Sequence, residues 1–303
     1  MHTKKIIFLL ILIISIFSFN TILNSPNLSA KNFQDNNIII SHQQIKQGSV
    51  LKISADDNSN LTNVIFNEIK YHPNKDDINK NYQIFIPISY WLKPGNYDLK
   101  IIGENLNINE NIEVLSGNFT ESHITFKINK KENTDSQNDK TENKQDNTAE
   151  RKKRETQMII DARKKSSKEK LWEGKFIWPV EGHISSPFGA TRYVNGNLHN
   201  RHSGTDIAAP TGTDVKATAS GIVTLAAELL STGNTIIIDH GWNIYSSYSH
   251  LDSLNVKKGQ SINKGDLIGK VGSTGFSTGP HLHWTIKVNN VFVKPEQFII
   301  NEF

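Results

Sequence analysis

Apolar and polar positions alternate in short runs through two separate parts of this chain, and the runs differ in what surrounds them. From about Ile38 to Ile128 the segments IIISHQ, SVLKISA, NVIFNEI, YQIFIPI, YDLKIIG, NIEVLSG and HITFKI are rich in β-branched and aromatic residues. Gly48, Pro94-Gly95 and Gly103 punctuate them. Period-2 patterning broken by turn residues predicts strands, and about seven of them over roughly ninety residues predict a small β-sandwich-like domain at 36–128. A second patterned region, 176–298, carries GTDVKAT, GIVTLAA, NTIIIDHG, NIYSSYSHL, DLIGKVG, HLHWTIKV and VFVKP. It reads as an all-β domain built from hairpins, with Asn289-Asn290 as a two-residue turn. The chain is therefore expected to be mainly β.

Between these regions the pattern vanishes. Residues 129–149 hold no apolar side chain larger than alanine. Such a segment cannot bury enough surface to offset its ordering entropy, so a disordered polar linker is expected there. Residues 150–172 are charged but carry Met158, Ile159, Ile160, Ala162, Leu171 and Trp172 without Gly or Pro, which predicts a helix. Its Arg-Lys-Lys-Arg run at 151–154 reads as a solvated helix face, and no nucleic-acid partner is expected.

The N-terminus adds a third pattern. Lys4 and Lys5 precede an apolar run from Ile6 to Phe19, interrupted only by Ser15 and Ser18 and shorter than the roughly 20 residues of a membrane span. Residues 1–30 therefore read as a signal peptide, with cleavage expected after Leu28-Ser29-Ala30, or as a signal anchor reaching Leu23. Either way the remainder is expected outside the cytoplasm, in the periplasm or cell envelope, touching membrane only through this segment if it stays uncleaved.

Composition narrows the chemistry. The 303 residues include no cysteine, which excludes disulfides, thiol nucleophiles and Cys-held zinc. Any metal must be bound by His, Asp or Glu. The formal charge of +4 fits attraction to anionic wall polymers without requiring it.

Histidine placement supplies the candidates. In His202-Ser-Gly-Thr-Asp206, strand alternation would point His202 and Asp206 the same way, with Gly204 leaving the space between them open. In His281-Leu-His283-Trp-Thr-Ile-Lys-Val288, His281, His283, Thr285 and Lys287 fall on one face and the apolar residues on the other. Two histidines on the polar face of a strand are hard to explain by packing. Tyr248 and His250 share a face by the same alternation. His42, His72 and His123 are scattered without metal-ligand spacing, His199 reads as part of a mobile loop, and His240 sits in an Asp-His-Gly turn signal.

Together these residues resemble the lysostaphin-type, LytM-like zinc peptidases that hydrolyse peptidoglycan cross-bridges. The resemblance over about 176–298 runs through Ser185-Ser-Pro-Phe-Gly189, His202 to Asp206, Ala217-Thr-Ala-Ser-Gly221 and Tyr248 to Leu251. It continues through Gly265-Asp-Leu-Ile-Gly269 and the run from Gly272 to His283. It implies Zn2+ held by His202, Asp206 and His283, with His250 and His281 acting on the water and the transition state. Three protein ligands would leave one zinc position open for water, and a histidine titrating near 6.5 can pass a proton to the leaving amine. Thr285 stands where many relatives have glutamate, which alters a contact behind the ligand. The N-terminal β region more loosely resembles a small domain that precedes some of these peptidases, through Gln47-Gly48 and Pro94-Gly-Asn-Tyr97.

The implied function is an exported zinc metalloendopeptidase acting on peptidoglycan peptides. The competing reading is a catalytically inactive relative that binds the wall or activates an amidase, and the complete set of polar residues favours the enzyme. A biotinyl-type carrier, suggested by Val256 to Asp266, lacks a modifiable lysine tip and would not be exported.

Overall fold

The computed structural model of the chain describes residues 30–33, 38–104, 106–124, 141–194, 196–301 and 303. The apolar run 6–19, the last residues 125–128 of the expected sandwich region and residues 129–140 of the expected linker lie outside them. No helix among the described residues is long and apolar enough to cross a membrane.

The expected sandwich is present as two five-stranded sheets. One places Val50–Asp56 beside Asn81–Pro87, and the other places Gly95–Gly103 between Leu106–Leu115 and Leu61–Phe66. Alternate residues of each strand face the partner sheet. Leu51, Ile53, Ile84 and Ile86 from the first sheet meet Val64, Leu99, Ile101 and Ile112 from the second, all essentially inaccessible to water. Neither sheet could hide its apolar face alone.

The last expected strand of this region behaves differently. Glu121–Ile124 leaves the sandwich and pairs in parallel with Thr191–Val194, which forms a hairpin with Asn197–Arg201. These three strands make a small sheet of their own.

The helix also departs from expectation. It spans Thr141–Ala162, starting inside the stretch read as linker and ending ten residues before Trp172. Glu142, Lys144, Gln145 and Ala149 are good helix formers, so polarity alone does not stop a helix that begins further along. Its end is set by a tertiary contact. Ser166 Oγ and Ser167 N–H both donate to the Asp239 carboxylate, at 2.6 and 2.8 Å, and draw the chain away from the helix axis.

The C-terminal region is organised by a ten-stranded sheet in which Thr205–Ala208, His281–Val288, Ile244–Leu254, Gly233–Asp239 and Gly221–Leu229 lie side by side. In His281–Val288 the expected alternation holds, with Leu282, Trp284, Ile286 and Val288 at 0 % exposure. They pack with Ile236, Ile238, Tyr248 and Val271 into the main core. The opposite face is covered in part by the helix, whose Ala162 and Ile159 meet Leu225, Leu229, Ile237 and Tyr245. Coverage on both faces is why all but one residue of the central segment Gly233–Asp239 is buried, including three consecutive isoleucines. Asn289 and Asn290 adopt φ of 46° and 64°, the left-handed pair a two-residue hairpin turn needs.

The two β regions share a core. Phe85, on a sandwich strand, is 1 % exposed and lies 6.0 Å from the rings of both Trp242 and Phe303 and 6.5 Å from Trp172.

Candidate metal centre and catalytic cleft

Strand pairing brings the two halves of the candidate site together. Thr205–Ala208 runs antiparallel to His281–Val288 with Asp206 directly opposite His283. His202 precedes this strand rather than belonging to it. Gly204 makes the approach possible for a reason alternation does not supply. A Cβ there would lie 2.4 Å from the Trp284 carbonyl oxygen and 2.6 Å from Thr285 Cγ2, so only glycine lets the turn rest against the neighbouring strand. Thr285, 4 % exposed, is the residue beneath that turn.

Three donor atoms converge. His202 Nε2 lies 3.0 Å from Asp206 Oδ1 and 3.0 Å from His283 Nδ1, and His283 Nδ1 lies 2.7 Å from Asp206 Oδ1. Among the described residues this trio is a group able to hold a metal ion. The hydrogen bonds behind it bear on fit. His202 Nδ1 sits 3.0 Å from the Pro187 carbonyl, which can only accept, so that nitrogen carries a proton. A neutral His202 then turns a lone pair toward a carboxylate oxygen and a second imidazole nitrogen. Lone pairs so close repel unless a cation lies among them, either protons or a metal. Two imidazoles and one carboxylate are a common zinc donor set.

His250 and His281 stand beside the trio. The two rings are 4.8 Å apart by centroid, and His250 is 6.1 Å from His283. Each uses Nδ1 on a backbone carbonyl at 2.8 Å: Thr274 for His250 and Gly279 for His281. Both therefore keep Nε2 unprotonated when neutral, and His281 Nε2 is 3.8 Å from Asp206 Oδ1. His202, Asp206, His281 and His283 keep side-chain exposures of 15–19 %, so the cluster is recessed yet reachable.

One expectation fails here. Tyr248 and His250 do not share a face. Tyr248 is wholly buried, its hydroxyl accepting from Thr218 N–H at 2.9 Å and lying 3.0 Å from Ser246 Oγ. His250 has φ of 64°, and the ladders on either side of it shift register nearby. The left-handed residue turns a side chain due for the core out toward His281. His240 stands at the turn between Gly233–Asp239 and Ile244–Leu254 that its Asp-His-Gly setting signals. Its ring is fully buried between the Ser220 carbonyl and Ser246 Oγ, and burial pushes it down to about 4, so it stays neutral. His199 lies on the strand Asn197–Arg201. Arg192 and Tyr193 occupy the neighbouring strand, where the Tyr193 ring stacks on His123 at 4.7 Å.

The charges in the metal-free trio are coupled. Burial opposes ionisation of Asp206, yet hydrogen bonds from His202 and His283 outweigh it and hold the carboxyl well below the usual range. Burial pushes His202 down, but its bond to Asp206 prevails and raises it above 6.5. At His283 and His250 burial wins, and both fall below 6.5. The depressed Asp206 contributes stability above 3.8 that is lost as pH falls through its folded value. The raised His202 contributes stability below 6.5 that is lost as pH rises through its folded value. A metal entering the trio must displace the His202 Nε2 proton, so the gain in unfolding midpoint on adding zinc is expected to grow between about pH 6 and about pH 8. Scanning calorimetry with and without zinc measures it, and a gain that shrinks over this range would contradict the assignment of His202.

Comparison with known proteins gives a consistent result. Residues 200–295 match the model of Peptidase family M23. The DD-carboxypeptidase/endopeptidase Mpg of Neisseria meningitidis serogroup B is 40% identical over 112 residues, 37% of this chain and 26% of that protein. The peptidoglycan DD-endopeptidase ShyA of Vibrio cholerae is 42% identical over 87 residues, 29% of this chain and 20% of that one. This chain thus spans about a quarter or less of the length of these curated relatives. The crystal structure of a Pseudomonas aeruginosa protein assigned to peptidase M23 aligns with a TM-score of 0.59 at 27% identity, covering 84% of this chain and 93% of that one. The family match contains His202, Asp206, His250, His281 and His283, and so the chain carries, over residues 200–295, a domain of peptidase family M23.

Proposed function

We propose that this chain is an exported zinc metalloendopeptidase that hydrolyses peptide cross-links of bacterial peptidoglycan in the cell envelope. The observation that carries the reading is the convergence of His202, Asp206 and His283 with two further histidines at the same recess, all inside the family match. The names of the relatives support the substrate class.

In this reading His202 Nε2, Asp206 Oδ1 and His283 Nδ1 hold the ion. Zinc there supplies a Lewis acid that polarises a carbonyl and makes water more acidic. Thr274 and Gly279 fix the tautomers of His250 and His281 through Nδ1. Their Nε2 atoms can then accept a proton, hand it to a leaving amine, or donate to an oxyanion once protonated. Burial keeps His250 neutral at neutral pH, which suits an acceptor. A non-cutting relative would be expected to lack part of this set, and here no member is missing.

The test is digestion of purified peptidoglycan followed by mass spectrometry of the fragments. Release of uncrosslinked peptides, abolished by a chelator and restored by zinc, is expected. Intact cross-links after incubation with the zinc-loaded chain would favour the wall-binding or amidase-activating alternative.

A further inference from the structure

The residue before His202 is held by the other β region. The Arg201 guanidinium lies 4.8 Å from the Trp91 ring and 5.4 Å from the Phe119 ring, and donates to the Tyr90 carbonyl. Its Nε is buried without an acceptor, so the two ring contacts and the bond to the Tyr90 carbonyl hold it. Tyr90, Trp91 and Phe119 all precede the helix, whereas Arg201 belongs to the hairpin that ends at the metal centre.

The other support of His202 is gripped by the same aromatic box. Pro187, whose carbonyl receives His202 Nδ1–H, is followed by Phe188, whose ring lies 5.2 Å from Tyr90 and 6.1 Å from Phe119. Gly189 N–H donates to the His202 carbonyl at 2.8 Å, and His202 N–H to the Ala190 carbonyl at 2.9 Å. A Cβ on Gly189 would lie 2.1 Å from the Phe119 ring, so the ring presses directly on that backbone. Thr191 N–H then donates to the Thr120 carbonyl at 2.8 Å. Both the backbone and the ring of His202 are thus fixed by atoms that Tyr90, Trp91 and Phe119 hold in place.

We propose that Arg201 and the box formed by Tyr90, Trp91 and Phe119 are a clasp between the two β regions that positions His202 and thereby sets the affinity of the centre for its metal. This rests on His202 being a metal ligand. Arg201 is a positioning residue, acting through its neighbour in the chain. A ligand whose orientation is fixed before the metal arrives loses less freedom on binding, and contacts behind a ligand typically change metal affinity by about 10- to 100-fold.

The experiment is a zinc titration of the full chain in competition with a chromogenic chelator, which needs no turnover. Arg201→Ala and Trp91→Ala are each expected to weaken zinc binding about tenfold. Their combination should add little, because either change opens the same clasp. Arg201→Lys keeps a cation near the rings but loses the guanidinium's wider contact and its bond to the Tyr90 carbonyl, and should fall between. Thermal midpoints of the zinc-free proteins separate positioning from plain destabilisation. Arg201→Ala with a lowered zinc-free midpoint and wild-type zinc affinity would overturn the clasp. A wild-type chain that takes up no zinc would overturn the metal-centre reading and the clasp with it.

Discussion

Replacing His283 by alanine is expected to abolish zinc uptake and wall hydrolysis together, while His281→Ala and His250→Ala keep the metal and turn over very slowly. The reason is the position of each ring nitrogen. His283 Nδ1 lies at 2.7 Å from Asp206 Oδ1 and 3.0 Å from His202 Nε2, so its removal leaves two donors where a structural or catalytic zinc takes three or four protein ligands. His281 Nε2 stands 3.8 Å from Asp206 Oδ1, and His250 stands behind it, with its ring 4.8 Å from that of His281. Loss of a group that moves a proton costs about 10²- to 10⁴-fold in rate, so slow hydrolysis should survive in both variants. Metal content by mass spectrometry, set beside cross-link hydrolysis, separates the two classes. If His281→Ala loses zinc as readily as His283→Ala, the division of labour between these strand neighbours is wrong.

The second large effect lies far from the site. Phe85→Ala is expected to destabilise the chain by about 3–5 kcal/mol, the range for deleting a buried aromatic ring from a packed core. Phe85 belongs by sequence to the sandwich, on the strand Asn81–Pro87, but its ring is enclosed by Trp172, Trp242 and Phe303. Lys52 also places its ammonium 5.9 Å from the ring. Truncation would open a cavity where the two β regions meet. Urea unfolding should show a lower midpoint, and a second transition would follow if the regions come apart before either melts. A change below about 1 kcal/mol would mean that the two cores are not joined through this ring.

The candidate metal centre and the shared core both depend on contacts between the two β regions. The clasp at Arg201 and the core at Phe85 are separate attachments between the same two regions. One acts on the residue next to a ligand, and the other on stability alone. Phe85→Ala is therefore expected to lower the unfolding midpoint more than it lowers zinc affinity, the reverse of Arg201→Ala.

Much of this was legible in the sequence because strand periodicity is local. Alternation placed Leu282, Trp284, Ile286 and Val288 in the core and left His281 and His283 on the other face, as found. The same rule read the two sheets of the sandwich, whose alternate residues fill a common interior. Asn289-Asn290 announced its turn because few residues tolerate left-handed backbone. The resemblance implied His202, Asp206 and His283 as a ligand set, and their donor atoms lie together: Asp206 faces His283 across paired strands, while His202 reaches them from the turn before.

What tertiary structure alone decided follows from contacts between residues distant in the chain. Alternation assigned His250 to the face of Tyr248, and one left-handed residue, held by its neighbours' shifted ladders, reversed it. Gly204 suggested open space, whereas its role is to let one backbone lie against another 80 residues on. The helix expected over 150–172 spans Thr141–Ala162, and its early end goes with the hold of the Asp239 carboxylate on Ser166 and Ser167 rather than with any stop signal of its own. Glu121–Ile124 has a strand's composition but no local reason to choose a partner, and it joined Thr191–Val194 rather than the sandwich. Phe85 and Arg201 likewise carry no sequence mark of their roles. Periodicity reports which side of an element is apolar, and only the packed chain determines what that side meets.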